Sequence, residues 1–532
     1  NIVVYGQDNT SSNDRLPDFS KEAINRHLQF LGSDLCEGRG TGTAGGNLAA
    51  KYLALEFGKL NLTPSGSNGT YYQYIPMHGS VPLPGSKLII SNNEAETELS
   101  LGDDYLLYKS GEQTFVSTPL PMVFAGYGII APEYDYNDYQ SIDVEGKIIV
   151  VLEGEPSSDD PGYFSGRNPS IYSFPEAKQR IAISRGAAGI VIIPGISYDW
   201  KNLKNIFSFE DVTLAYSVTG NLSVLLNPLS SEVLFRNSGY LINDIYKMHI
   251  QNRIISFPLK SSLSFRGEFR QRDFVSPNVI GMIPGSDPVL KNTYLLVTAH
   301  YDHLGTGPVI KGDSIYNGVF DNAAGTAALL EIARAFSLTY KPKRSIIFAL
   351  LTGEEKGLLG STYYTENPVV PLYKTIANIN IDGIALFDRF KSVIGVGAEY
   401  STINHFLAET AQYFNLKVTS IPPQFEDSES FSKSDQVAFA LAGIPSVLIA
   451  EGPDYENISK EEGLNRFIYY SNEIYHTPFD DLNQQMNLDA AVQHIAVIYD
   501  LCRRIADSEK EPEWNSGTQF INARLRTQAE KK

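Results

Sequence analysis

The sequence predicts an α/β fold, a mixed, largely parallel sheet with helices on both faces, interrupted by an inserted block of different composition. Three observations carry this expectation. From about Asn278 onward, short apolar segments alternate with helical ones, the pattern of strands joined by crossover helices. The composition shifts after Pro119 and stays polar, rich in Asn and Ser, to about Ser261. The 532 residues also exceed one ordinary domain, so two structural units are expected. The expected division is 1–117 and 262–532 for one unit, with 118–261 inserted into it.

Residues Phe19–Leu31 read as a helix with Ser20 as its N-cap. A second helix is expected over Ala44–Leu60, with Ala49, Tyr52, Leu53 and Phe57 on one face. The glycine-rich stretch Gly38–Gly46 joins them; lacking a preceding strand and a following Lys-Ser/Thr pair, it reads as a packing turn rather than a phosphate loop. In the inserted block Met122–Tyr127, Gly146–Leu152 and Gly189–Ile193 read as strands, Pro156–Asn168 as a loop and Pro175–Arg185 as a helix. No cluster of metal-ligand residue types occurs there, and His249 is its sole histidine. Beyond it, strands are expected at Val279–Ile283, Leu295–Thr298, Ser345–Leu351, Ala377–Ile381, Ser392–Val396 and Ser446–Ala450. Helices are expected at Ala323–Ser337, Ile403–Phe414 and Leu488–Ile505. In such sheets ligands bind beyond the carboxyl ends of the strands.

Bulk properties exclude several classes. With 42% hydrophobic residues, 27 Phe and 31 Tyr, the chain has material for a large core and is not of disordered composition. A formal net charge of −18 offers no general attraction to nucleic acid or to an anionic membrane. The longest apolar runs, Tyr294–Ala299 and Ile346–Leu351, fall far short of the roughly 18 residues of a membrane span. Cys36 and Cys502 are too few for a disulfide scaffold or a cysteine-rich zinc module, and their pairing stays open.

Five segments place a ligand-type residue just after an expected strand or at a helix start. His300 and Asp302 sit at a strand end, where the carboxylate can accept the second imidazole N–H and fix its tautomer. Asp321 opens a helix, either as an N-cap or as a carboxylate shared by two cations. Glu354 and Glu355 follow a very apolar strand; adjacent acids there need positive charge nearby. One can ligate a metal while the other takes a proton from an activated water. Asp382 and His476 complete the set. Two His and three carboxylates at separate element ends point to a metal centre, and imidazole plus carboxylate without thiolate suits zinc, with cobalt or manganese as substitutes. Two metals bridged by one carboxylate would lie about 3.5–4 Å apart, an arrangement suited to hydrolysis.

The series HYDHLG, FDNAAG, TGEEKGLLGS, NIDG and YHTPFDD, in this order, resembles the M28 family of co-catalytic zinc peptidases. The strand Asn278–Gly285 and the opening stretch Leu31–Pro64, with Glu37-Gly38-Arg39, are similar to the same family. The resemblance implies the zinc-peptidase fold, two Zn2+ per chain and peptide substrates with a free N-terminus. It makes His300 and Asp382 ligands of one zinc, Glu355 and His476 ligands of the other, and Asp321 the bridge. Glu354 becomes the general base, and Asp302 orients His300. His27, His78, His249, His405 and His494 match no site position, while His303 lies close enough to touch a ligand. Tyr475 is either a donor to the developing oxyanion or a core tyrosine.

Three segments of the inserted block, VFAGYG (123–128), DVEGKI (143–148) and GAAGIV (186–191), resemble a protease-associated (PA) domain, expected to be mainly β. Ser434-Asp435-Gln436 is similar to a Ser-Asp-His element of relatives, with Gln in the third place; Asp435 either lines the site or caps a helix. The expected activity is an aminopeptidase. The rival readings are a carboxypeptidase or dipeptidase of the same family, a glutaminyl cyclase and a non-catalytic receptor-like module. No nucleic acid partner and no membrane span are expected. The resemblance, together with a start at Asn1 rather than Met, gives a secreted or periplasmic protein with its signal peptide removed as the expectation.

Overall fold

The computed structural model describes residues 16–531 apart from 109–114, 161, 165, 167–169, 196–198, 219 and 426–430, so part of the expected 156–168 loop lies outside the described residues. The chain divides into two compact units, Asn1–Ile75 with Ser276–Lys532, and Pro76–Val275.

In the first unit, the sheet that carries the site includes seven consecutively paired strands, with the short segment Thr63–Pro64 paired to the first of them. In chain order they are β1 (Phe269–Ile283, of which the part from Ser276 belongs here), β2 (Tyr294–His300), β3 (Ser345–Leu351), β4 (Thr375–Asn380), β5 (Ser392–Val396), β6 (Lys417–Val418) and β7 (Ser446–Glu451). Their order in space is β1-β3-β2-β4-β7-β5-β6. The pairs β3–β2, β2–β4, β4–β7 and β5–β6 are parallel; β1–β3 and β7–β5 are antiparallel. The register places His300 opposite Leu351, and Asn380 opposite Thr298 on one side and Leu448 on the other.

Strand side chains alternate between faces, and both faces here are apolar. Leu295, Val297, Ala299, Ile346, Phe348 and Leu350 join one core with the helices Lys21–Leu31, Ala44–Lys59, Ala324–Thr339 and Leu488–Asp507. Leu296, Ile347, Ala349 and Leu351 join a second core with Tyr364, Phe439 and Ile444. Helices thus cover both faces of a mixed, largely parallel sheet. Ser20 caps the first helix by accepting the Ala23 N–H at 3.1 Å, and Thr43 caps the second through Gly46 at 3.2 Å. The glycine-rich stretch is a packing turn: a Cβ on Gly45 would lie 1.9 Å from the Cys36 carbonyl oxygen. Cys36 and Cys502 are both buried and unpaired with each other.

The second unit holds an eight-stranded mixed sheet. Phe115–Ala125, Ile148–Leu152, Gly189–Ile193 and Leu222–Leu226 run parallel at its centre, with Pro175–Ser184 as a crossover helix. Lys87–Ser91 pairs with Ser256–Arg266, and Tyr105–Leu107 pairs with Leu222–Leu226. These pairings carry the unit out to Pro76 and Val275, whereas the sequence places the limits at 118 and 261. No described helix is long and apolar enough to cross a membrane.

Candidate metal centre

The first unit gathers the expected ligand residues at the carboxyl ends of its central strands. His300 is the last residue of β2, Glu354 and Glu355 follow the end of β3, and Asp382 follows β4. Asp321 lies in the π-helical turn Val319–Ala323, with a cis peptide bond to Asn322. His476 follows a second such turn, Tyr470–Ile474.

Asp321 is the centre of the arrangement. Its Oδ1 lies 3.3 Å from His300 Nε2, and its Oδ2 lies 3.2 Å from His476 Nε2. Asp382 Oδ1 stands 3.2 Å from His300 Nε2, and Glu355 Oε2 stands 3.2 Å from His476 Nε2. His300, Asp321 and Glu355 each offer a ligand atom within 4.8 Å of the others. The Nε2 of His476 is buried yet makes no hydrogen bond of acceptable geometry, so it faces the space between two carboxylates rather than either one. A buried, unsatisfied nitrogen among carboxylates, with no thiolate, fits a divalent cation of zinc's ligand preference.

The electrostatics describe a place built for positive charge. Burial depresses His476, but Glu355 and Asp321 outweigh it and hold its proton up to about 10. Burial opposes charge on His300 as well, and Asp382 and Glu354 overcome that to push it well above its ordinary value. Burial raises Glu355, while His476 and His303 pull it down to about 2. Glu354 behaves differently. Burial, reinforced by Glu355, Asp382 and Asp435 against the pull of His300, pushes it well above the usual carboxylate range. Adjacent carboxyl groups with proton affinities driven apart are able to divide ligand and acid–base chemistry between them.

Asp302 meets the His300 Nδ1 with its main-chain oxygen and not, as the sequence suggests, with its carboxylate. The Nδ1 of His300 lies 3.2 Å from the Asp302 main-chain oxygen and 3.9 Å from its carboxylate. The carboxylate accepts the Glu354 N–H at 3.2 Å and the Thr41 hydroxyl at 2.8 Å, so it holds the turn that carries Glu354. Tyr475 is 43% exposed and stacks on His476 with ring centres 3.8 Å apart, which removes the core reading. Asp321 does not cap the helix Ala324–Thr339; the helix N-cap is Ala323. Asn322 instead accepts the N–H groups of Gly325 and Gly383 at 2.9 and 2.8 Å and donates to Ile381 O at 2.9 Å, bracketing Asp382.

Sequence reading passed over Asn322, Asp480, Arg39 and the part played by His303. Asp480 accepts the N–H groups of Phe320 and Asp321 at 2.9 and 3.0 Å. Arg39 is fully buried, and its five N–H groups reach five main-chain oxygens, of Leu31, Tyr301, Asn317, Gly318 and Asp321. Asp435 is buried and accepts the Ser361 hydroxyl at 2.5 Å; it stands at the N-cap position of the helix Gln436–Leu441 but makes no side-chain capping bond, and burial lifts it to about 7 against the pull of His300. Gln436 accepts from Asn380 at 2.9 Å and donates to Phe431 O at 2.8 Å, tying two segments together behind β4.

Residues 278–502 match the family model described as Peptidase family M28. The chain carries an M28 peptidase domain. This domain holds all the residues expected at the site. Among curated relatives, aminopeptidase NAALADL1 of Mus musculus is 37% identical over 140 residues, covering 25% of this chain and 17% of that protein. A probable leucine aminopeptidase 2 of Aspergillus oryzae is 26% identical over 270 residues, 48% of this chain and 50% of the relative. The matches thus span half or less of these relatives' lengths. A solved aminopeptidase from Aneurinibacillus sp. strain AM-1 aligns over 93% of this chain and 95% of its own, with a TM-score of 0.54 and 17% identity, a likeness of fold.

Proposed function

We propose that the protein is a dinuclear zinc metallopeptidase that removes N-terminal residues from peptides. The observation that carries this reading is the division of Asp321 between two imidazoles, one oxygen facing His300 beside Asp382 and the other facing His476 beside Glu355. His300, Asp382 and Asp321 would hold one zinc; His476, Glu355 and Asp321 would hold the other. Bound zinc supplies Lewis acidity at the scissile carbonyl and a water that loses its proton near neutral pH. The rest of the chemistry belongs to the protein. Glu354, kept out of the ligand set and with raised proton affinity, accepts the proton of the attacking water and returns it to the leaving amine. Asp302 fixes the main chain at Glu354 and so sets where that carboxylate stands. Tyr475, stacked on His476, would donate its hydroxyl to the oxygen that gains charge.

The names of the relatives favour amino-terminal action, and the inserted unit is read as the PA domain its motifs resemble. Zinc analysis beside paired free and N-blocked peptides tests the whole reading. Two zinc per chain with cleavage confined to free N-termini is the expected result. Action on blocked peptides from the carboxyl end would make it a carboxypeptidase, and pyroglutamate with ammonia would make it a cyclase.

A further inference from the structure

We infer that His303 is a positioning residue for Glu355, an inference that rests on Glu355 being a zinc ligand. His303 is wholly buried, and its Nδ1 lies 2.6 Å from Glu355 Oε1. The other oxygen of the same carboxylate, Oε2, is the one that faces His476. The two oxygens are thus divided, one tied to an imidazole in the protein interior and one turned to the metal centre. A carboxylate only accepts, so the His303 ring carries a hydrogen on Nδ1 toward Glu355, while its buried Nε2 makes no hydrogen bond. The ring itself is fixed. The His303 N–H donates to Arg39 O at 3.3 Å, and Gly318, at φ +58, approaches so closely that a Cβ there would lie 2.4 Å from the His303 ring. The Nδ1 atom is also 3.7 Å from Asp321 Oδ2, so the ring stands beside both carboxylates of this half of the centre. Hydrogen bonds behind a ligating carboxylate hold its orientation and raise metal affinity.

Geometry separates this role from mere packing. An Asn side chain places an N–H donor near the imidazole Nδ1 position, a Gln places one near Nε2, and a Leu fills space without donating. The experiment measures zinc retention against a competing chelator for wild type, His303→Asn, His303→Gln and His303→Leu, with folding followed by circular dichroism. The His303→Asn protein is expected to stay within about fivefold of wild type, while His303→Gln and His303→Leu lose about 10–100-fold in affinity for one of the two ions. With cobalt in place of zinc, the His303→Asn absorption spectrum should match wild type. Wild-type affinity in His303→Leu or His303→Gln, or an Asn variant as impaired or as unfolded as the Leu one, overturns the inference. An altered cobalt spectrum in His303→Asn overturns it too, by making His303 a direct ligand. Absence of zinc from the wild type would instead overturn the metal reading on which the inference rests.

Discussion

Glu354 and Glu355 are neighbours in sequence and opposites in chemistry. Glu355 is held ionised by His476 and His303, whereas at Glu354 burial and the neighbouring carboxylates outweigh the pull of His300, so it holds a proton far more tightly. A Glu354→Gln substitution keeps shape and removes the proton acceptor. Zinc content should stay at the wild-type value while kcat falls by about 10²–10⁴-fold; metal analysis and turnover on one preparation check this, and near-normal turnover sinks the assignment. Tyr475→Phe removes a single donor at the position of charge development, with an expected fall in kcat of up to about 10²–10³-fold and little change in KM. An unchanged kcat returns the ring to a packing role. These residues were legible because each sits in a short segment whose chemistry is local. Thr41 was not legible, since it reaches the site through Asp302, 261 residues away.

At the scale of elements, the site is made by turns whose main chains are held by side chains from elsewhere. Asn322 ties the start of its own helix to both peptide units flanking Asp382, and it is completely buried. Replacing it with Ala strands the N–H groups of Gly325 and Gly383 and the carbonyl of Ile381, for a loss of about 1–3 kcal/mol. Thermal unfolding of the metal-free protein measures that loss. Zinc binding should weaken as well, because Asp382 loses its bracket; a variant with wild-type stability and wild-type zinc affinity would remove Asn322 from the support of the site. The elements themselves were readable from apolar runs and periodicity, as Ser345–Leu351 illustrates, buried at every position. The limits of the inserted unit were not. They depend on strands such as Lys87–Ser91, which belong to that sheet only through pairing with Ser256–Arg266, far along the chain.

The whole molecule carries a formal charge of −18, and its metal centre concentrates that sign in a buried place. In the metal-free protein the surrounding carboxylates favour protons on His300 and His476. The sign of the pH dependence follows from His476. Its folded-state value of about 10 lies above the unfolded value of roughly 6.5. The stability it contributes is therefore complete below about pH 6.5 and is lost as pH rises through about 10. Metal-free protein should lose thermal stability progressively across that window. Zinc must displace the same protons, so its affinity should move the other way, rising about tenfold per pH unit for each proton released. Between pH 7 and 9 the gap in Tm between zinc-loaded and metal-free protein should therefore widen. Paired melts at several pH values, with chelator competition at each, measure both trends. A zinc affinity that stays flat with pH would mean that the imidazoles are already neutral in the metal-free state, and the carboxylates around Asp321 would then have to be relieved in some other way.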